Sequence, residues 1–80
     1  MKDTTILSED ELAEYAAKFR EAAGITRAQA ARDMEVKPPS VFHAEKSPAL
    51  PYKKLRMRII EAYSDYEVIG PVYLLRKKKK

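Results

Sequence analysis

Apolar residues recur at helical intervals in the first third of the sequence. Leu12, Tyr15 and Ala16 begin a series that continues with Phe19 and Ala23, at spacings that place all of them on one face of a helix. A serine and a glutamate with the spacing of a capping box precede this series, and a glycine follows it. We therefore predict a first helix over about residues 9–23.

Two short helices are predicted next, separated by a tight break. Thr26 is a suitable N-cap for an alanine-rich helix over residues 27–34, because alanine is the strongest helix former. Two adjacent prolines follow the break and fit the first turn of a helix, where amide donors have no partner anyway. A third helix is thus predicted over residues 38–46, with Val41 and Ala44 facing inward.

A fourth helix is predicted to begin at Pro51. Its buried face is expected to hold Leu55, Ile59, Ala62 and Tyr63. Its solvent side is expected to hold Lys53, Lys54, Arg56 and Arg58. This alternation is typical of an amphipathic helix that packs on a core.

The pattern changes after Asp65, where aromatic and β-branched residues predict a strand over residues 66–75. Gly70 and Pro71 interrupt it, and proline restricts a strand to an edge or a bulge. No second strand is apparent elsewhere in the sequence. Because a lone strand needs a partner, the segment either folds into a hairpin or pairs with the same strand of another subunit. The predicted dimerisation residues are Tyr66, Val68, Ile69, Val72, Tyr73 and Leu74.

Together these elements predict one mainly helical domain, as the length of 80 residues suggests. Four helices over residues 8–64 precede a C-terminal strand or short hairpin over residues 65–75. Residues 1–7 are expected to be a flexible N-terminus, and residues 76–80 a disordered basic tail.

Composition argues against several classes of function. There are no cysteines, so a disulfide framework and a cysteine-ligated zinc are excluded, and the single histidine, His43, is a poor metal ligand. No glycine-rich phosphate loop or serine–histidine–acid arrangement is evident, so we expect no enzymatic activity and no cofactor. No apolar run has the length of a membrane span or signal peptide, which favours a cytoplasmic protein without a membrane partner.

Positive charge is concentrated in the second half of the sequence. Residues 1–35 contain five basic and eight acidic side chains, whereas residues 36–80 contain eleven basic and four acidic ones. Without the five basic residues of the tail, the net charge changes from +4 to −1. This polarity suits a protein whose second half faces phosphates.

Residues 24–47 read GITRAQAARDMEVKPPSVFHAEKS and resemble the phage-repressor-like (Xre/Cro) helix-turn-helix family. The positions that match the family pattern without a gap are Ile25, Thr26, Ala30, Ala31, Met34, Val36, Ser40, Val41 and Glu45. Pro51 and the helix after it also fit, so the likeness covers about residues 8–63. It implies a lambda-repressor-like fold in which residues 38–46 form the recognition helix. For Glu45 we expect a structural role, such as orienting an arginine, because acidic groups repel phosphate.

The sequence departs from this family at positions that bear on DNA readout. Arg27 replaces a glutamine that donates to phosphate, and Glu35 replaces a turn glycine, which implies strain or a different turn. Two prolines occupy positions that often touch bases, and proline offers only apolar contact, for example with a thymine methyl. The predicted DNA contacts are Arg27, Gln29, Lys37, Pro38, Pro39, Ser40, His43, Lys46, Lys53 and Lys54.

Three functions are compatible with these features. The first is a DNA-binding transcriptional regulator, such as a repressor, that acts as a homodimer on a palindromic site in double-stranded DNA. The second is a DNA-binding antitoxin whose apolar C-terminal segment docks a toxin. The third is a protein-interaction adaptor without sequence-specific DNA readout, which the two prolines favour. Phe42, predicted on the outer side of the third helix, suits a base step or a protein partner equally.

Overall fold

The computed structural model of the chain describes residues 4–69 and 73–78. Within these residues, the chain forms four helices and three strands. Their order is β1 (Thr4–Leu7), α1 (Glu9–Ala22), α2 (Arg27–Met34), α3 (Pro38–Lys46), α4 (Lys53–Tyr63), β2 (Tyr66–Ile69) and β3 (Tyr73–Lys77). The domain is mainly helical and ends in an antiparallel hairpin, as predicted.

The helix boundaries follow from local capping signals. The Ser8 hydroxyl accepts from the Glu11 amide at 3.2 Å, and the Glu11 carboxylate accepts from the Ser8 amide at 3.0 Å, which completes a capping box at α1. The Thr26 hydroxyl accepts from the Gln29 amide at 3.1 Å and caps α2. Gly24, with φ 74°, adopts the left-handed conformation that glycine tolerates just beyond a helix end. These local signals explain why the predictions for α1 and α2 agree with the structure.

All four helices contribute to one hydrophobic core, which the hairpin completes. Its fully buried members include Leu12, Ala16, Ala30, Val41, Ala44, Ile59, Ile60 and Leu75. Small alanines on α2 and α3 allow the close approach that such short helices need. The prediction that Ala62 lies on the buried face of α4 is wrong, because Ala62 is exposed, and the buried Ile60 was not predicted. Ala23, at the end of the apolar series of α1, is also exposed.

The strands form one antiparallel sheet in the order β1-β3-β2. β3 pairs with β2 as a hairpin, and it also pairs with β1, so that Thr4 lies opposite Arg76. The prediction of a flexible N-terminus is therefore wrong for residues 4–7. They form β1, a strand that the sequence analysis did not predict. Leu7 is only 4% exposed and joins the core, which explains why this segment is ordered.

The expected disordered tail is likewise wrong for residues 76–78. Arg76 and Lys77 belong to β3, and the Arg76 guanidinium donates to the Glu67 carboxylate at 2.8 Å. The Lys78 ammonium donates to the carbonyls of Glu61 and Ser64, at the C-terminal end of α4. A cation at this end of a helix offsets its partial negative charge. Residues 79–80 lie outside the described residues.

Across the described part of the chain, no helix combines the length and apolar character needed to cross a membrane.

Candidate functional site

The candidate site is built on the connection between α2 and α3. Glu35 ends α2 with φ 58° and ψ 44°, a left-handed conformation that costs a non-glycine residue about 1 kcal/mol. The Val36 amide returns to the Ala31 carbonyl at 2.9 Å, which satisfies a carbonyl at the helix end. The strain expected from the missing glycine is therefore present in this turn.

The two prolines begin α3, as predicted. Pro38 and Pro39 occupy its first turn, and the N-cap Lys37 makes no side-chain capping bond. Since proline has no amide hydrogen, the prolines remove donors that a capping side chain would otherwise satisfy. Farther along the helix, Val41 and Glu45 are buried.

Glu45 is the centre of a buried ionic network that joins three helices. Its carboxylate accepts from Arg20 Nε at 2.5 Å and Nη2 at 3.0 Å, and from Arg27 Nε at 3.0 Å. Arg20 Nη1 also donates to the Ile25 carbonyl at 2.6 Å. The hydrogen bond with Glu45 raises the pKa of Arg20, although burial opposes it. We call Arg20, Arg27 and Glu45 the Glu45 network.

The predicted structural role of Glu45 is thus confirmed, but sequence reasoning did not single out Arg20. A signal was available, because Arg20 follows Leu12 and Ala16 at intervals of four residues on the apolar face of α1. An arginine on such a face is rarely buried unless it has a partner. The network also engages Arg27, which was predicted to bind phosphate and whose side chain is 38% exposed.

A second buried arginine fixes the other end of α3. Arg56 is 1% exposed, and its guanidinium donates to the carbonyls of Ala44 at 2.8 Å, Ser47 at 2.9 Å and Leu50 at 3.0 Å. We call these groups the Arg56 junction. The prediction that Arg56 lies on the solvent side of α4 is wrong, because these carbonyls take the place of water around the charge.

Aromatic and apolar groups occupy the outer face of α3. Phe42 is 45% exposed, as its predicted outward position requires. The Arg27 guanidinium carbon lies 5.3 Å from the Phe42 ring centroid, and the His43 ring meets Phe42 edge-on at 5.6 Å. His43 in turn stacks on Tyr52 at 6.1 Å. One guanidinium and three rings therefore form a continuous row, which we call the aromatic row.

Several predicted contacts surround a groove beside the start of α4. The groove has a volume of about 640 Å³, and Ser40, Lys53 and Lys54 line it together with Tyr52 and Arg58. Both lysines are exposed, as predicted. Basic groups from the fourth helix thus lie next to the first turn of α3.

Other predicted contacts lie elsewhere or are already engaged. The side-chain Nε2 of Gln29 donates to the Asp33 carboxylate at 2.7 Å, and its Oε1 accepts from the Arg32 guanidinium at 2.7 Å. The nitrogen and the oxygen of this side chain therefore both have partners within α2. Lys46 lines a second depression together with acidic residues of α1, such as Asp10 and Glu21. Phosphate binding by Lys46 is therefore opposed by nearby negative charge.

A polar contact also fixes α2 on α4. The Tyr63 hydroxyl donates to the Asp33 carboxylate at 2.6 Å, and Arg58 donates to the Met34 carbonyl at 2.9 Å. Burial and the bond to Asp33 together raise the pKa of Tyr63 to about 12. The bond from Tyr63, followed by that from Gln29, lowers the pKa of Asp33.

The predicted dimerisation residues are divided between the two faces of the sheet. Val68 is 6% exposed within the core, and Tyr66 stacks on Phe19 at 5.7 Å, so both face inward. Ile69 and Leu74 are partly exposed, and each lies in register with the other. Tyr73 lies in β3 opposite Leu7, whereas Val72 lies outside the described residues.

With this geometry established, we compared the chain with known proteins. No protein-family model, curated protein or solved structure matches it. Among the residues that the structure describes, no cluster of three or more potential metal ligands is present.

Proposed function

We propose that this protein is a helix-turn-helix DNA-binding regulator that acts as a homodimer on a palindromic site. The observation that carries this proposal is the position of α3. Two short helices meet at a tight turn, and the second of them turns its outer face to solvent beside a cluster of basic side chains. A major groove is wide enough to admit a helix presented in this way.

The basic groups near α3 have the arrangement that phosphate binding needs. Lys37 is exposed immediately before α3, and Lys53 and Lys54 are exposed at the start of α4. At the start of α4, where Lys53 and Lys54 lie, backbone amide hydrogens also favour anions. These three lysines are therefore the proposed backbone contacts, which position α3 without reading sequence.

For the homodimer, we propose the outer face of the sheet as the interface. Ile6, Leu74 and Ile69 lie in register across β1, β3 and β2, and Ile6 is 70% exposed. Pairing of another strand with the β2 edge is hindered, because the Val68 amide of that strand already donates to the Glu61 carboxylate at 3.0 Å. An Ile6→Asp variant should be monomeric in sedimentation equilibrium, whereas Leu50→Asp, which changes an exposed leucine elsewhere, should remain dimeric. A dimer that survives Ile6→Asp contradicts this interface.

The DNA-binding proposal is tested by anisotropy titration of a random duplex over a salt series. The double variant Lys53→Ala/Lys54→Ala should lose affinity, and the slope of log K against log salt should fall by about two. The control variant Lys18→Ala/Lys77→Ala removes the same charge from exposed positions on α1 and β3 and should retain most of the affinity. Equal binding by the two variants contradicts the proposed face.

One observation favours a second candidate function. The exposed ring of Phe42 and the two prolines give α3 an apolar outer face, which also suits a protein-interaction adaptor. If the wild-type protein shows no DNA binding above a weak, salt-sensitive background, the adaptor is favoured and the regulator is rejected.

A further inference from the structure

The outer face of α3 lacks the side chains that most often read purines. The helix contains no arginine, asparagine or glutamine, and its one lysine, Lys46, lines the depression that acidic residues of α1 share. Pro38, Pro39 and Phe42 instead expose carbon to solvent, and Phe42 is 45% exposed. A helix face of this kind can contact an apolar group on the edge of a base.

Phe42 is held in position before any ligand binds. The Arg27 guanidinium lies over its ring at 5.3 Å, and Arg27 is itself held by the buried Glu45 carboxylate at 3.0 Å. The His43 ring contacts Phe42 on another side. These contacts restrict the rotamers of Phe42, so binding removes less conformational entropy from this side chain than from a free one.

Helical spacing places Pro39 next to Phe42 on the outer face, because residues three apart are neighbours on a helix surface. Val41 and Ala44 occupy the opposite, buried side of α3. The exposed side chains of Pro39 and Phe42 thus form one apolar patch. If α3 enters a major groove with its outer face first, this patch contacts the base edges.

We propose that Pro39 and Phe42 recognise the C5-methyl groups of thymine in the major groove. This inference rests on the proposed DNA-binding function. The thymine methyl is the apolar group that the major groove displays among its donors and acceptors, so an apolar helix face selects it. A site read by α3 is then rich in A·T pairs whose thymine methyls face the helix.

The test compares two duplexes of alternating sequence, dA–dT and dA–dU, that differ in the C5 methyl. In anisotropy titrations of the full chain at one salt concentration, the dU duplex should bind about fourfold more weakly for each methyl group that the patch would otherwise cover. A second pair, dG–dC and its 5-methyl-dC form, places a methyl at the same groove position in another sequence. There the methylated duplex should bind more tightly.

Variants assign the effect to the patch. Phe42→Ser and Pro39→Ser should each reduce the dT/dU affinity ratio, and the double variant Pro39→Ser/Phe42→Ser should bind the two duplexes with equal affinity, with circular dichroism confirming the fold of all three. Lys53→Ala/Lys54→Ala should weaken binding to both duplexes and leave their ratio unchanged, because phosphates are common to both. A ratio that survives undiminished in the double variant Pro39→Ser/Phe42→Ser overturns the assignment.

The wild-type result separates this inference from the function on which it rests. Equal affinity for dT and dU duplexes overturns methyl recognition and leaves DNA binding in place. Absence of binding to every duplex overturns the DNA-binding proposal and the inference together.

Discussion

The buried side of α3 carries charge, whereas its exposed side carries aromatic and proline carbon. Glu45 and the carbonyl of Ala44 face inward, where they bind the buried guanidinium groups of Arg20 and Arg56. Phe42 faces outward with 45% of its surface exposed. For Glu45 and Phe42 this distribution reverses the usual one, in which charges lie outside and aromatic rings lie inside, whereas the buried Val41 and Ala44 follow it.

The difference indicates separate tasks for the two sides. An arginine donates several hydrogen bonds in a fixed geometry, so the Glu45 network and the Arg56 junction define both the position and the rotation of α3. Apolar core contacts tolerate sliding better than such directional bonds do. With its orientation fixed from within, α3 can present apolar groups that contribute little to folding.

The largest expected effect comes from removing the inner carboxylate. Glu45→Ala leaves Arg20 buried without its ionic partner, which should lower the free energy of unfolding by about 3–5 kcal/mol. Urea denaturation measures this loss. The matched control is Glu14→Ala, whose carboxylate forms an exposed pair with Lys18 and should change stability by less than about 1 kcal/mol. Similar losses in both variants would show that the inner charges do not hold α3.

A smaller loss is expected at the Arg56 junction. Arg56→Met keeps an apolar chain of similar reach but leaves the carbonyls of Ala44, Ser47 and Leu50 without this donor, at a cost of about 2–3 kcal/mol. Thermal unfolding followed by circular dichroism provides the measurement. Lys54→Met, an exposed change on the same helix, serves as the control and should be nearly neutral.

On the outer side, stability should hardly change. Phe42→Ala removes an exposed ring and its contact with Arg27, so we expect a loss of only about 0.5–1 kcal/mol. The same urea titrations check this value. A loss as large as that of Glu45→Ala would mean that the outer face also supports the fold, and the contrast between the two sides would fail.

The smallest effect concerns the exposed contact between Tyr63 and Asp33, and it depends on pH. The folded state raises the pKa of Tyr63 from 10.0 to about 12. The contribution of Tyr63 to the free energy of unfolding is therefore complete below pH 10 and is lost as the pH rises towards 12. Because the pKa of Asp33 is lowered in the folded state, its contribution to the free energy of unfolding is complete above its ordinary pKa of 3.8. This contribution is lost as the pH falls below that value. Tyr63→Phe should therefore unfold at a lower urea concentration than the wild type at neutral pH. Near pH 12 the two midpoints should converge, and a constant difference up to that pH would contradict this account.

Local signals explain how much of the fold the sequence predicts. The Ser8 cap, the Thr26 cap and the prolines before α3 act within a few residues, so helix boundaries follow from them. β1 escaped prediction because Thr4–Leu7 is a strand of only four residues, whose pairing partner β3 lies at the other end of the sequence. Nothing close to it in the chain indicates that pairing.

The candidate site was predicted less completely, for a related reason. Arg56 belongs to a run of basic residues that is typical of a solvated helix face, and its burial depends on carbonyls from α3 and the following loop. The role of Glu45 was anticipated, but not that both Arg20 and Arg27 would reach it. Partners of this kind are set by tertiary packing, which periodicity does not encode.

The central place of β3 in the sheet gives the molecule an order of assembly. Pairing of β1 with β3 closes a loop over almost the whole described chain, and such closure is slow compared with contacts between neighbouring helices. During synthesis, β1 emerges long before its partner exists, so its strand edge stays open to other chains. The bonds of the Glu45 network and the Arg56 junction all lie between Arg20 and Arg56. None of these bonds involves the sheet, so the orientation of the helix proposed to read DNA does not depend directly on the last pairing step.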